Sequence, residues 1–326
     1  MTGVTGFLGT ALAQRWVEEG VRVTGLVRST SSPATRSWLR KLGVDLVEGD
    51  VAAESSCPDE LAGVMDGADL VIHSAAVIGY RRRLRGVMAR TNVLGTRRVV
   101  EACLKVGVPR MLHVSSIAAI GLSDEPLLLD ERAAWNAEKL DAAYFDTKHE
   151  AEVEVQVGVQ RGLDAVIVNP GAIYGPSLVP ANSSNLVRQI LRGRLNLVPP
   201  AGVNVVPLST VVEGSLAAAK KGRCGRRYIL GGENLELHEL VQRVARAGGM
   251  HASPRVLPRS LGCVARWVLD AFEPFVPDRV WFTPDMLGVF GRWMWFDTGR
   301  AERELGVKPD DLDACLRATV EQIRRS

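Results

Sequence analysis

The stretch MTGVTGFLG opens the chain with Gly3, Gly6 and Gly9 in a G-x-x-G-x-x-G array, and nothing else restricts the fold as much. Glycine at this spacing permits a tight turn whose backbone can approach a pyrophosphate. Such a turn works where a buried strand leads in and a helix leads out. The helix is written in residues 8–20: Leu8, Leu12 and Trp16 fall at i, i+4 and i+8, and Gly20 stands where a C-terminal glycine belongs. The leading strand is not written, since only two residues precede Gly3.

The first half alternates short apolar runs with helical patterns, the signature of a parallel sheet in a doubly wound α/β fold. Strands are expected at 21–27, 44–47, 70–73, 111–115 and 165–169, with a helix over 92–106 that Asn92 would cap. After NPGAIYGP the rhythm breaks. The remainder reads as mostly helical, with a strand at 227–230 and a closing helix at 312–323. The expected division is a nucleotide-binding domain over 1–174 and a substrate lobe over 175–326, with a segment near 203–210 returning to the first. In AEVEVQVGVQ, Val153, Val155, Val157 and Val159 alternate as in a strand. Because YFDTK immediately precedes it and needs a helix, a helix is expected there too.

Charge and cysteine usage narrow the function classes. A net charge of +3 over 326 residues is too small and too scattered to argue for a nucleic-acid partner. The five cysteines (Cys57, Cys103, Cys224, Cys263 and Cys315) are far apart and form no C-x-x-C pair. They read as reduced thiols, not as a disulfide frame or a metal site. No signal-like segment precedes the glycine array, and no apolar run approaches the ~18 residues of a membrane span. A cytoplasmic protein is expected.

Tyr144 and Lys148 lie four residues apart, on one face of a helix. A phenol is a poor acid–base group at its free pKa of ~10, and a neighbouring ammonium favours the phenolate. A hydroxyl from VSSIAAIG could then hold a substrate carbonyl oxygen.

The glycine array, DLVIHSAA, RTNVLGT, HVSSIAAIG, YFDTK and VNPGAIYGP occur in one order over the first half. On these motifs the chain resembles the extended short-chain dehydrogenase/reductases of the NAD-dependent epimerase/dehydratase superfamily. The stretches YFDTKHEAE, RRYILGGENLELHEL and WFDTGRAERELGVKP make it most similar to the dihydroflavonol-reductase-like branch. That branch includes hopanoid-associated sugar epimerases and 3β-hydroxysteroid-dehydrogenase-like proteins, and the likeness runs nearly end to end.

The resemblance implies a Rossmann-type doubly wound sheet with a smaller, mostly helical C-terminal lobe. It implies that Tyr144 protonates a carbonyl oxygen during hydride transfer, while Lys148 lowers the pKa of Tyr144 and binds the nicotinamide ribose. Ser116, with Ser115 as the alternative, would hydrogen-bond the reacting oxygen, and Asn92 would orient the segment beneath. Gly3, Thr5, Gly6 and Gly9 would form the cofactor loop, with Phe7 and Leu8 presenting N–H groups to the pyrophosphate. Asp50 would hold the adenine amino group; Val51, Ala75, Ala76, Pro170, Ala172 and Ile173 complete the implied cofactor contacts. Met1 stands where relatives have the last residue of a central strand. The chain is therefore expected to lack roughly five residues of that strand, leaving strands 21–27 and 70–73 to flank a gap of ~9–10 Å.

Cofactor and reaction rest on departures within the family. NAD-selective relatives end the second strand with a carboxylate for the ribose 2′-OH. Here Val27, Arg28 and Ser29 supply none, and Arg28 could pair with a 2′-phosphate, so NADP(H) is preferred with NAD(H) left open. Ile117 and Ala118 stand where 4,6-dehydratases need an acid–base pair, which excludes dehydration. Asn169 replaces the arginine of the epimerase R-P-x-x-V-Y-G motif. Trp267, Phe272, Phe275, Trp281, Phe282, Phe290, Trp293, Trp295 and Phe296 crowd one region and point to a bulky apolar substrate. The reading is an NADP(H)-dependent reductase of a ketone, or dehydrogenase of a secondary alcohol. A nucleotide-sugar epimerase is the alternative, with the arginines of YRRRLR (80–85) as its positive charge, and a non-catalytic cofactor-binding relative is the second. Peripheral membrane contact and a homodimer stay open.

Overall fold

The computed structural model describes residues 1–53, 58–140, 142–181, 183–258 and 291–325. From the glycine loop, α1 (Phe7–Glu18) buries Leu12, Ala13 and Trp16. Strands β1 (Thr24–Val27) and β2 (Asp45–Glu48) are joined by α2 (Pro33–Leu42). Ser32 caps α2 through the Thr35 N–H, Pro33 sits in its first turn, and Gly43 ends it in the left-handed conformation. Next come α3 (Pro58–Met65) and β3 (Val71–His73). A short helix, α4 (Arg85–Met88), runs through a π-helical turn (Ala89–Leu94) into α5 (Gly95–Val106). The half closes with β4 (Met111–Val114), β5 (Leu128–Leu129), α6 (Ala143–Gln160), β6 (Ala165–Pro170) and β7 (Ala172–Tyr174). The second half holds α7 (Ser183–Leu191), β8 (Leu197–Val198), β9 (Gly202–Pro207), α8 (Leu208–Lys221), β10 (Arg227–Leu230), β11 (Glu233–Glu236) and α9 (Leu237–Ala247). It ends with β12 (Arg255–Val256), β13 (Trp293–Phe296), α10 (Gly299–Leu305) and α11 (Leu312–Arg325).

Strands β10, β6, β4 and β3 pair in that order, all parallel. β4 and β6 are buried along their whole length, which is why their sequences are nearly continuous apolar runs. Alternate residues face opposite layers: Ile72, Leu112, Val114, Val166 and Val168 meet α1 and α8, while Val71, Met111, Ala165 and Ile167 meet α3, α5 and α6. β1 and β2 form a further parallel pair. β1 and β3 are not paired with each other; Met1 and Thr2 stand between them. The Met1 ammonium donates to the Thr24 carbonyl at 2.6 Å, and the Met1 carbonyl accepts from the Leu26 N–H at 2.8 Å. On the other side the Thr2 N–H donates to the Ile72 carbonyl at 2.9 Å. The spatial order β2, β1, residues 1–2, β3, β4, β6, β10 is a Rossmann-type doubly wound arrangement.

The second half builds another sheet around β9, antiparallel to β11 and parallel to β7 and β13, with β5 on the far edge of β13. The segment near 203–210, expected to return to the first domain, instead supplies β9 to this sheet before running into α8. The strand contributed to the main sheet is β10, beside β6, and α8 packs on β4 and β6. Helices α7, α9 and α11 close a separate apolar core over β7 to β9. α6 is helical through its alternating valines: Val155 is buried, whereas Val153 and Val157 are exposed. Of the aromatic cluster, Trp293 and Phe296 are buried in β13 and Trp295 is half-buried. Trp267, Phe272, Phe275, Trp281, Phe282 and Phe290 lie outside the described residues. Among the described residues no helix is long and apolar enough to cross a membrane.

Candidate active site

The glycine loop is fixed by close backbone contacts. Gly3 has φ +67°, and a Cβ there would lie 2.6 Å from the backbone of Ser74 and Ala75. A Cβ on Gly9 would lie 2.0 Å from the Gly3 carbonyl oxygen, so α1 can rest on the loop only through glycine. Gly6 caps α1 without a side-chain partner, leaving the first-turn N–H groups of Phe7 and Leu8 without intrahelical acceptors. A helix N-terminus in this state attracts an anion.

Beside the loop lies a cleft with about 640 Å³ of open space at the carboxyl ends of β1, β2 and β3. It gathers Gly3, Thr5 and Gly6 from the loop, Arg28 after β1, Asp50 and Val51 after β2, and Ala75 and Ala76 after β3. Leu26, Ser31, Ser74, Val77 and Thr91 also line it, and sequence reading missed them. Leu26, Ser31, Ser74 and Val77 had a signal, since each lies within three residues of an expected cofactor contact. Arg28 is exposed, and its backbone N–H donates to Ser31 Oγ at 3.2 Å. Asp50 closes a local turn, its Oδ1 accepting from the Ala52 N–H at 2.9 Å. Pro170, Ala172 and Ile173 lie at the end of β6 and in β7, and do not line this cleft. The glycine cradle, the uncapped helix start and the acid-free end of β1 fit a dinucleotide diphosphate.

Tyr144 and Lys148 both come from α6 and are buried. Lys148 Nζ donates to the Val114 carbonyl at the end of β4, at 3.0 Å. Ser116 follows β4, and its Oγ accepts from the Ala118 N–H at 3.2 Å. Burial raises the Tyr144 phenol above its ordinary range, and a hydrogen bond with the Ser116 side chain pulls it back down. Between the two candidate serines, it is Ser116 that meets the phenol; the Ser115 hydroxyl is buried beneath. The expected lowering of Tyr144 by Lys148 is corrected here. Both groups are buried, and burial brings the lysine itself down to about 8, against the upward pull of Glu152. At Tyr144 burial outweighs the Ser116 hydrogen bond, so the net direction is upward.

Asn92 is not a helix cap. It lies within the π-helical turn, fully inside the fold, and its side chain brackets Val77: Oδ1 accepts from the Val77 N–H at 2.8 Å and Nδ2 donates to the Val77 carbonyl at 3.0 Å. Nδ2 also donates to Thr147 Oγ1 at 3.1 Å, next to Lys148 on α6. π-turns of this kind recur at functional sites because the extra residue re-aims a side chain. Behind α6, Asn169 donates to the Ser116 carbonyl at 2.9 Å and to the buried Glu152 at 2.6 Å, and Glu152 pairs with Arg227 of β10 at 2.5 Å. Around the phenol the surroundings are apolar: Tyr80 meets Tyr144 edge-on at 5.8 Å, with Val77, Leu84, Trp135 and Met294 half-buried nearby.

Residues 1–229 match the NAD dependent epimerase/dehydratase family. A protein of Synechocystis sp. named "Putative dihydroflavonol 4-reductase" is 31% identical over 97% of this chain and 91% of its own. Sterol demethylase protein B of Methylococcus capsulatus is 29% identical over 99% of this chain and 97% of its own. Among solved structures, that of gox2253 is 30% identical with a TM-score of 0.85, covering 99% of this chain and 97% of that one. A nucleoside-diphosphate-sugar epimerase from Pseudomonas aeruginosa shares the fold at 23% identity and TM-score 0.80, covering 99% and 96%. So does a UDP-glucuronic acid 4-epimerase from Bacillus cereus in complex with UDP-glucuronic acid and NAD, at 19% identity and TM-score 0.77, covering 99% and 98%.

Proposed function

The chain belongs to the NAD dependent epimerase/dehydratase family, and from that premise we propose that it moves a hydride between a nicotinamide cofactor and a carbon bearing oxygen beside Tyr144. The observation that carries this is the buried pairing of Tyr144 with Ser116, with Lys148 four residues on in the same helix and anchored on Val114. A bound nicotinamide dinucleotide supplies the hydride donor or acceptor. Ser116 orients the substrate oxygen by a hydrogen bond, and Tyr144 Oη gives a proton to that oxygen, or takes one in the opposite direction. Lys148, anchored on Val114, would meet the nicotinamide ribose as an ammonium, and Gly3, Gly6 and the α1 N-terminus would hold the diphosphate.

Two substrate readings share this step. An epimerase oxidises a carbinol and returns the hydride to the other face; a reductase stops after one transfer. The family's name and the nucleotide-sugar epimerases among the solved structures weigh toward the epimerase. The apolar lining at Tyr80, Leu84, Trp135 and Met294 and the asparagine at 169 support a ketone on a bulky apolar molecule. On the site's own chemistry the reductase is the reading we favour. NADP(H) is the preferred cofactor on the strength of Arg28 and the absence of an acid at the end of β1; the Bacillus cereus relative holds NAD.

One experiment separates these. The purified protein is given NADPH or NADH with apolar ketones, and separately nucleotide sugars with NAD. Net nicotinamide oxidation with a ketone supports the reductase; inversion of a sugar carbon without net consumption supports the epimerase. Tyr144→Phe should lower either activity by about 10²–10⁴-fold with cofactor affinity nearly unchanged. Retention of more than a tenth of the activity would remove Tyr144 from the role of acid.

A further inference from the structure

His73 is buried at the end of β3, 1% exposed, and both its ring nitrogens are engaged. Nδ1 lies 2.7 Å from Thr2 Oγ1, immediately before the glycine loop, and Nε2 lies 2.9 Å from Thr96 Oγ1 on α5. Proton counting sets the direction of each bond. Thr96 has one hydroxyl proton, and it is given to the Asn92 carbonyl at 2.5 Å, which can only accept. Thr96 Oγ1 must therefore accept from His73, so Nε2 carries the proton. A neutral ring then has a bare Nδ1, which accepts from Thr2 Oγ1. The same Thr2 oxygen accepts from the Ala75 N–H at 3.3 Å, and the Ser74 hydroxyl donates to the Thr2 carbonyl at 2.8 Å.

These bonds run in one sense from the cleft to the far side of the site. The Ala75 N–H donates to Thr2, Thr2 to His73, His73 to Thr96, and Thr96 to the Asn92 carbonyl. Asn92 carries the path on through Thr147 to the helix of Tyr144 and Lys148. Burial keeps the ring uncharged, bringing its pKa down to about 3. His113, stacked on it at 5.4 Å, is likewise held far below its ordinary value by burial, and the Lys148 ammonium disfavours a second charge on either ring.

We infer that His73 is a positioning residue: as the neutral Nε2–H tautomer it ties the glycine loop to the turn holding Asn92, and so sets the cofactor cleft against the Tyr144–Lys148 helix. The inference rests on the hydride-transfer reading above for its purpose, but its geometry can be tested without turnover. In histidine-labelled full-length protein, the long-range nitrogen–proton correlation of the His73 ring should report Nε2–H at neutral pH. An Nδ1–H tautomer or an imidazolium there would overturn the inference. Two variants then divide the ring. Asparagine can place its carbonyl near the Nδ1 position, and glutamine its amide near Nε2. His73→Asn should hold the NADPH dissociation constant within about threefold while amide exchange at Val77, whose N–H reads the Asn92 side chain, speeds up roughly tenfold. His73→Gln should do the reverse. If both variants move both readouts alike, or neither moves them, His73 is only a packed core residue. Failure of the unmodified protein to bind any dinucleotide would count against the proposed function, leaving the tautomer and the Val77 exchange to decide the role of His73.

Discussion

Burial of Lys148 is the single-residue effect with the clearest solution consequence. Its folded-state pKa of about 8 lies below the ordinary lysine value, because burial penalises the ammonium more than Glu152 favours it. The ammonium therefore predominates below about pH 8 and is lost as the pH rises through that value. If it faces the ribose, dinucleotide affinity should fall over the same interval, and Lys148→Met should bind weakly at every pH with the inflection gone. Titrating binding over roughly pH 6.5 to 9.5 checks this; an inflection that survives in Lys148→Met would place the titrating group elsewhere. Tyr144 and Lys148 are legible as a pair because their relation is local, four residues along one helix. The helix-cap reading of Asn92 fails for the converse reason. Its partners, Val77 and Thr147, lie 15 and 55 residues away, and nothing in RTNVLGT distinguishes a helix cap from a side chain bracketing a distant backbone. Both pKa values at the site escape the sequence as well, since they depend on burial that spacing does not encode.

At the scale of elements, α6 shows where local pattern and tertiary demand disagree. Four valines at alternate positions favour a strand, yet the segment continues the helix begun at Ala143. The helix succeeds because the valines divide by faces: Val155 is fully buried and Val159 half-buried against the core under α5, while Val153 and Val157 face outward at 46% and 40% exposure. The two outer positions make the prediction sharp. Val155→Ala removes two buried methyl groups and leaves a cavity, a loss of about 2–3 kcal/mol. Val157→Ala should change stability by less than about 0.5 kcal/mol, and helix propensity would even favour the alanine. Equilibrium denaturation of the two variants decides it; equal losses would mean that the outer valines are covered in solution. Elsewhere, strands of three to six residues in the main sheet are readable from their apolar runs. β5, β8 and β12 are two residues each, too short to show any period, and are invisible for that reason.

On the scale of the whole molecule, the main sheet is completed by a strand from the second half. β10 enters beside β6, and its first residue, Arg227, reaches the carboxylate of Glu152 on α6. The pattern RRYILGG announces a strand but not its neighbour, because parallel partners are set by crossover topology and not by anything in the strand itself. Glu152 is wholly buried, whereas the Arg227 side chain keeps 22% of its surface in water. That asymmetry fixes the order of the mutants. Glu152→Gln preserves the acceptor for Asn169 and frees an arginine that can turn toward solvent, so it should be mild, about 1 kcal/mol. Arg227→Met leaves a buried carboxylate without its ion-pair partner, and such losses run to about 3–5 kcal/mol. Combining the two removes both charges and should recover most of what Arg227→Met loses, because a neutral amide beside a methionine carries no desolvation penalty of that size. The measurement is a double-mutant cycle by chemical denaturation, with circular dichroism confirming a common fold. If Arg227→Met is no worse than Glu152→Gln, the pair does not hold β10 in the sheet, and apolar burial of Tyr228, Ile229 and Leu230 holds it unaided.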